Sequence, residues 1–375
     1  MLPFKLLKNP KPFIIAELGT AHDGSISRAK ALIDAAREAG ADAVKFQIVY
    51  ADEILHPNTG TVPLPGGDTP LYDVFKKLEV PASFFAELKE YAEARDAVFL
   101  ATPFGLRSAT CLKALHPAAV KIASPELNYT QLLRETVRWG IPLFLSTGVS
   151  KLGDIERALE LVRAVEDEGL LPPPSVLLHC ITAYPAPASE YNLRLLSTMR
   201  SLFGVETGVS DHSLDAELVP AIAAALGAAA IEKHFCLDRA DGGLDDPIAL
   251  PPNDFAKMVK AVEMSAALRV QFGEEGALAE LRRHYGAEAV NAALGNGVKR
   301  LAKSEEENYG RTNRSIHALV SIAAGGEFTA QNIAVLRTEK ILKPGLPPFY
   351  FDKILGRRAR SSIPAGEGIC FEDIG

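Results

Sequence analysis

Two histidines, His212 and His234, and two lysines, Lys45 and Lys121, stand within or at the ends of otherwise apolar runs. Imidazole is the commonest ligand for divalent metals, and two of them, with oxygen ligands from substrate and water, suit Mn²⁺ or a similar ion acting as a Lewis acid. The alternative is two neutral histidines hydrogen-bonded in place. A lysine inside an apolar run needs an anion beside it. A bound phosphate or carboxylate would supply one, with further hydrogen bonds from Thr102, Ser124, Ser146 and Ser210. Ion pairs to Glu17, Glu126 or Glu232 would serve equally, and a third reading is the Schiff-base lysine of a barrel aldolase. His179 lies within a strand and reads as structural, and His22 shapes the loop His22-Asp23-Gly24.

The elements that must position these groups are eight short apolar runs, Phe13–Leu18, Ala43–Gln47, Val98–Ala101, Ala119–Ala123, Pro142–Ser146, Val176–Cys180, Glu206–Val209 and Ala229–Phe235. Near-continuous Val, Ile, Leu, Phe and Ala is what a parallel strand buried on both faces requires. Between the first two runs, Ser25 or Ser27 can cap a helix whose apolar stripe is Ile26, Ala29, Ile33 and Ala36 and which Gly40 closes. Eight strands joined by helices over about 270 residues predict a (β/α)8 barrel. A doubly wound open sheet fits less well, because no GxGxxG follows the first strand.

A barrel of this kind builds its active site at the carboxyl ends of its strands. The polar residues fall there in order: Glu17; Lys45 and Gln47; Thr102; Lys121, Ser124 and Glu126; Ser146 and Thr147; Thr182 and Tyr184; Ser210-Asp211-His212; Glu232-Lys233-His234. After about Gly276 the composition changes. The expected division is a catalytic barrel over 1–278, a charged, helix-like linker over 279–311, and a small, mostly β domain over 312–375 with strands at Ser315–Ile322, Ala334–Leu336 and Gly368–Phe371. Two of its segments echo each other, Ala324-Gly-Gly-Glu-Phe and Pro364-Ala-Gly-Glu-Gly.

The chain has 375 residues, 47% hydrophobic and 23% charged, with a formal net charge of −7. These are globular proportions, and such an acidic chain has no global electrostatic reason to bind nucleic acid or an anionic membrane. The four cysteines, Cys111, Cys180, Cys236 and Cys370, form no CxxC pair, which points to a reducing compartment. No apolar run approaches the ~20 residues of a membrane span. A cytoplasmic protein is the expectation.

The ordered strand-end segments resemble those of the sialic acid synthase family, the N-acetylneuraminate (nonulosonate) synthases. The matching pieces are Ile15-Ala-Glu-Leu-Gly19 with His22-Asp-Gly24, Ala43-Val-Lys-Phe-Gln47, Ala101-Thr-Pro-Phe104, Val120-Lys-Ile-Ala-Ser-Pro-Glu126, Leu145-Ser-Thr-Gly148, His179-Cys180 through Tyr184-Pro185, Gly208-Val-Ser-Asp-His212, Ile231-Glu-Lys-His-Phe235 and Asn313-Arg-Ser315. They cover nearly the whole chain. The family's C-terminal module resembles type III antifreeze proteins, an antifreeze-like SAF domain, which matches the small β domain.

The resemblance implies condensation of phosphoenolpyruvate with an N-acetylated hexosamine and water, releasing phosphate by C–O cleavage. It implies Mn²⁺ on His212 and His234. It places Lys45, Thr102, Lys121, Ser124, Ser146 and Ser210 on phosphoenolpyruvate, and Glu17, Gln47, Tyr184 and Asp245 toward the metal or the sugar. Glu126 would help activate the attacking water, and Arg314 would reach from one subunit's small domain into the barrel mouth of the other, in a domain-swapped homodimer. The chain departs from the family at Ala21 and Thr182, where Asn is frequent, and at Gly243-Leu-Asp-Asp246, where Gly-Pro-Asp-His is frequent. These departures bear on which sugar is used: N-acetylmannosamine, its 6-phosphate or a diacetamido sugar. The competing readings are a lysine Schiff-base aldolase through Lys121 or Lys45, and a carbohydrate- or ice-binding protein acting through the small module alone.

Overall fold

The computed structural model describes residues 9–64, 67–339 and 341–375. Eight parallel strands form its core: β1 (Phe13–Gly19), β2 (Ala43–Ile48), β3 (Val98–Pro103), β4 (Val120–Ile122), β5 (Leu143–Ser146), β6 (Ser175–Cys180), β7 (Glu206–Asp211) and β8 (Ala230–His234). They pair in the order β3-β2-β1-β8-β7-β6-β5-β4, and β3 and β4 touch across the remaining seam, so the sheet is a nearly closed barrel. All eight predicted strands are present. The fourth is shorter than expected, because residues 124–126 already turn into a 3-10 helix.

The helices between strands form the outer jacket: α1 (Ile26–Glu38), α2 (Ala82–Glu93), α3 (Leu106–Ala114), α4 (Thr130–Val137), α5 (Leu152–Arg163), α6 (Leu195–Phe203), α7 (Leu218–Ala225) and α8 (Pro252–Tyr285). For α1 the cap is Ser25, whose side chain accepts from the Arg28 N–H at 3.3 Å, and its buried face is Ala29, Leu32, Ile33 and Ala36. A short hairpin, Val62–Leu64 with Gly67–Thr69, rises from the β2–α2 connection.

Strand alternation decides what the barrel holds. Lower on the strands, the inward positions are Ile15, Ala43, Leu100, Ala119, Phe144, Val176, Leu178 and Ala230, which pack together as an inner core separate from the strand–helix core. Two residues further along, the same faces carry Glu17, Lys45, Thr102, Lys121, Ser146, Cys180 and Glu232. Seven of the eight strands, all but β7, thus turn from apolar to polar within their inward face, near the carboxyl end. Gly208 is required where β7 meets β8, since a Cβ there would lie 2.2 Å from the Ala230 carbonyl oxygen.

The predicted break near residue 278 falls inside α8, which continues to Tyr285 after a kink at Gly273 (φ 71°). Helix α9 (Ala287–Leu294) follows, then an irregular stretch with a 3-10 turn at Lys303–Asn308. The small domain pairs β9 (Arg314–Ala318) antiparallel with β10 (Ile333–Arg337) over its own core of Ile316, Phe328, Ile333, Ile354, Ile363 and Ile369. Gly368–Phe371 makes no regular strand: Gly368 forms a single bridge to His317, and Phe371 begins a 3-10 turn. Among the described residues no helix is long and apolar enough to cross a membrane.

Candidate active site

A cavity of about 1010 Å³ opens at the carboxyl end of the barrel. Of the site residues implied by the family resemblance, all border it except Glu126 and Arg314; of the other polar strand-end residues, Thr147, Asp211 and Lys233 do not, and the last two pair with each other at 2.6 Å in full burial. The ladder register explains the convergence: Glu17 pairs with Lys45 on one side and His234 on the other, Lys45's neighbour Gln47 is opposite Thr102, and Glu232 is opposite Ser210.

The floor is a charge network. Lys45 Nζ lies 2.6 Å from Glu17 Oε2, 3.8 Å from Glu232 Oε1 and 3.2 Å from Thr102 Oγ1. Lys121 Nζ is 3.5 Å from Glu232 Oε1, which also accepts from Ser210 Oγ at 3.0 Å. Gln47 Nε2 donates to Glu17 Oε1 at 2.7 Å. Both lysines are about 3% exposed, so the ion-pair reading of the sequence holds for Glu17 and Glu232. Burial pushes the Lys121 amine down, with Glu232 opposing only in part. Burial acts on Lys45 in the same direction, but Glu17 and Glu232 outweigh it and hold the ammonium up. Burial raises Glu17 against the opposing Lys45, whereas in Glu232 burial is outweighed by Lys121 and Lys45 and the carboxyl is lowered.

Three buried polar atoms on this floor and wall, Ser146 Oγ, Thr182 Oγ1 and Glu232 Oε2, have no hydrogen-bond partner among the described residues. Buried polar groups are normally satisfied. Orphans beside two ammonium groups mark where an anionic, oxygen-rich ligand would find donors and acceptors.

His212 and His234 face the same space, their ring centroids 5.4 Å apart, and the Tyr184 ring stacks on His212 at 4.3 Å. His212 Nδ1 lies 2.7 Å from the Ile181 carbonyl and donates to it, which leaves Nε2 toward the cavity. Burial holds His234 well below the ordinary histidine range, with His212 and Lys45 adding to the effect, so its ring is neutral; Asp245 Oδ2 is 3.6 Å from its Nδ1. Burial pushes the Asp245 carboxyl up to about 6, reinforced by Glu17. For His212, burial is outweighed by the Cys180 sulfur, 3.8 Å from Nδ1, and by the Ile181 carbonyl, which carry it up to about 9.

Among the described residues no group of three or more His, Cys, Asp or Glu side chains is arranged to hold a metal. The donor set still fits an ion whose other ligands come from substrate and water. One imidazole is neutral, and the other has its tautomer fixed by a backbone carbonyl behind it, the usual support of a metal-binding histidine. A proton on His212 Nε2 and an ion at the same nitrogen exclude each other, so binding would release that proton.

Glu126 and Arg314 are the two expected site residues that do not border the cavity. Glu126 is fully buried, and its Oε1 accepts from Arg314 Nε at 2.9 Å and from Arg337 Nε and Nη2 at 3.0 and 2.8 Å. Both guanidinium groups meet the same oxygen, and the other, Oε2, is buried without a hydrogen-bond partner among the described residues. Arg314 also donates to the carbonyls of Phe104 (2.6 Å) and Glu53. It belongs to β9 of the same chain, so it meets its own barrel, beside the mouth rather than in it. Arg337, which the sequence reading missed, borders the cavity from β10 with Glu339; so do Ser304 and Asn308 of the linker turn, and Cys180 and Glu232 at strand ends. Glu232 was already named as a strand-end residue, and the same position was a usable signal for Cys180; nothing in the sequence marks Arg337.

A (β/α)8 barrel whose carboxyl-end cavity holds buried lysines, carboxylates and imidazoles, followed by a small β domain, defines a barrel enzyme built for small, oxygen-rich substrates. The comparisons make this particular. The NeuB family model matches residues 32–272, and the SAF domain model matches residues 313–375. The chain is 34% identical over 371 residues to the spore coat polysaccharide biosynthesis protein SpsE of Bacillus subtilis, covering 98% of this chain and 94% of that protein. The crystal structure of SpsE superposes with a TM-score of 0.78 at 35% identity, covering 97% of this chain and 95% of that one. An N,N'-diacetyllegionaminic acid synthase of Campylobacter jejuni is 30% identical over 361 residues, 95% of this chain and 98% of its own. The chain belongs to the NeuB family of sialic acid-type synthases, with a C-terminal SAF domain, and is an enzyme of that family.

Proposed function

We propose that this enzyme condenses phosphoenolpyruvate with an N-acetylated hexosamine and water to give a nonulosonic acid and inorganic phosphate. The observation that carries the reading is the convergence of Lys45, Lys121, His212 and His234 on one cavity among unsatisfied buried oxygens. C3 of phosphoenolpyruvate bonds to the aldehyde carbon of the open-chain sugar, and the aldehyde oxygen takes a proton. Water adds at C2 and loses a proton, and the C2–O bond to phosphate breaks, so that atoms and charge balance.

Lys45 and Lys121 bind the phosphate and carboxylate and exchange their internal carboxylate partners for the substrate's, with Thr102, Ser124, Ser146 and Ser210 donating hydrogen bonds. Glu17, Glu232 and Asp245, the lining carboxylates that lie beside Lys45, Lys121 or His234, can take the proton of the attacking water as alternatives to Glu126. Gln47 fixes the orientation of Glu17, and the Tyr184 ring walls the His212 side. His212 and His234 would hold Mn²⁺ or a related dication, which when bound supplies Lewis-acid polarisation of the aldehyde. The catalytic unit in this reading is 1–278, with 279–311 as linker and 312–375 as the covering domain. A homodimer that exchanges small domains completes the proposal: it keeps every contact of Arg314, with the second copy supplying the barrel.

Phosphate release from phosphoenolpyruvate with a panel of N-acetylated hexosamines tests the reaction; no release with any of them removes it. EDTA is expected to abolish turnover and Mn²⁺ to restore it. Light scattering is expected to give twice the chain mass, and a monomer would remove the dimer. The lowered Lys121 amine favours one second reading, a Schiff-base aldolase. Borohydride with pyruvate is expected to leave the mass of the protein unchanged, and a trapped adduct at Lys121 would reverse the assignment.

A further inference from the structure

The linker turn Lys303–Asn308 reaches the wall of the cavity. Glu305 is 1% exposed in a run, Ser304-Glu305-Glu306-Glu307, whose other members are exposed. Its Oε2 accepts from the backbone N–H of Val149 and of Thr182, each at 2.9 Å, and its Oε1 accepts from the Ala302 N–H at 3.2 Å. The opposite ends of the same two residues are held as well. Asn308 Nδ2 donates to the Thr182 carbonyl at 3.1 Å, and Asn313 Nδ2 donates to the Val149 carbonyl at 3.0 Å. Val149 sits at φ 42°, a conformation that costs a branched residue energy and persists only when its surroundings enforce it. The clamped Thr182 presents to the cavity a buried hydroxyl with no partner among the described residues.

We propose that Glu305 is a positioning residue: through the two backbone amides it holds, it fixes the loops after β5 and β6 and aims the Thr182 hydroxyl at the second substrate, making Thr182 a specificity-determining contact for the sugar. The inference rests on the proposed condensation for its substrate but not for its geometry. A buried carboxylate that accepts three backbone N–H groups is a strong and directional anchor. Lys45, Lys121 and Glu232 on the floor are held by the strand ladder and by one another, and only Ser124 touches the clamped loop, accepting from the Gly148 N–H at 3.0 Å, so the clamp bears most directly on Thr182.

Five enzymes test this: the parent, Glu305→Ala, Glu305→Gln, Thr182→Val and the double variant Thr182→Val/Glu305→Ala. Glu305→Ala is expected to lower kcat/KM for the sugar by about 10- to 100-fold, the usual effect of losing a supporting contact behind a site. The KM for phosphoenolpyruvate should stay within about threefold of the parent's, a split that general loosening of the fold would not give. Glu305→Gln should restore most of the loss, since its one carbonyl oxygen still accepts both loop N–H groups. Thr182→Val should cost less in the Glu305→Ala background than in the parent, because the hydroxyl is already misplaced there. Hydrogen exchange at the Val149 and Thr182 amides should accelerate in Glu305→Ala. A parallel loss on both substrates, additive double-variant effects, or unchanged exchange at both amides overturns the proposal. Should Glu305→Ala not fold, Glu305→Gln carries the exchange and KM measurements alone: slower exchange than in an unfolded chain with a sugar kcat/KM near the parent's supports the clamp, and a sugar kcat/KM lowered as far as the phosphoenolpyruvate value overturns it. A parent enzyme that releases no phosphate with any sugar removes the proposed reaction while leaving the exchange result to judge the clamp.

Discussion

Single residues here fall into groups with the same chemistry and opposite duties. His212 faces the cavity through Nε2 and contributes little to the core, so His212→Ala is expected to lose activity with a melting temperature close to the parent's; a variant that unfolds would show the ring to be structural. Glu126 is the reverse. Removing its charge leaves Arg314 buried among carbonyls without a counter-ion, and such an orphaned charge costs about 3–5 kcal/mol. Glu126→Ala is therefore expected to lower the melting temperature sharply, and Glu126→Leu with Arg314→Met to recover part of the loss. A double variant less stable than Glu126→Ala alone would contradict this account. The sequence separated these two duties poorly. Lys45 and Lys121 were legible because each interrupts an apolar run, and His212 because it stands in the polar triplet just past the end of one. The role of Glu126 depends on an arginine 188 positions away, and its neighbours Ser124 and Pro125 read like any other strand end.

At the scale of elements, the barrel strands were readable because burial on both faces demands runs of apolar residues that no surface strand tolerates. The linker turn was not, since Glu305 is compositionally identical to Glu306 and Glu307 and only tertiary contact singles it out. The change of composition after about Gly276 was legible, and the helix-like character expected of the linker appears as the end of α8 and as α9, but the kink itself, at Gly273, was not marked. Two outcomes belong here. Gly208→Ala drives a methyl into the Ala230 carbonyl, and overpacking of this sort costs about 1–3 kcal/mol. Because β7 carries Ser210 toward His212 and β8 carries Glu232 and His234, thermal melting and turnover should fall together; a fully active variant would mean the strands part without disturbing the site. In β9, His317 donates from Nδ1 to the Gly366 carbonyl at 2.8 Å and accepts from Ser315 at Nε2, and burial holds it down to about 4. Its folded value lies below the unfolded 6.5, so the unfolded chain binds the proton first as pH falls. The stability is whole above pH 6.5 and is lost between there and about 4, by up to roughly 3 kcal/mol. His317→Gln should flatten that part of the melting-temperature profile, and an unchanged slope would refute the assignment.

At the scale of the molecule, the barrel and the small domain divide the work. The barrel supplies the floor, the cations and the imidazoles. The small domain supplies Arg337 and Glu339 to the rim, and the linker between them supplies Ser304 and Asn308. Both parts of the chain, its NeuB portion and its SAF portion, line one cavity.

The junction of the two parts has a further consequence. The largest fully buried side chain of the terminal module is an arginine whose balancing charge and carbonyl acceptors sit almost wholly on the neighbouring fold. Such a module is not portable: grafted onto another scaffold or expressed alone, it would carry a sticky, cationic scar where its natural seat had been.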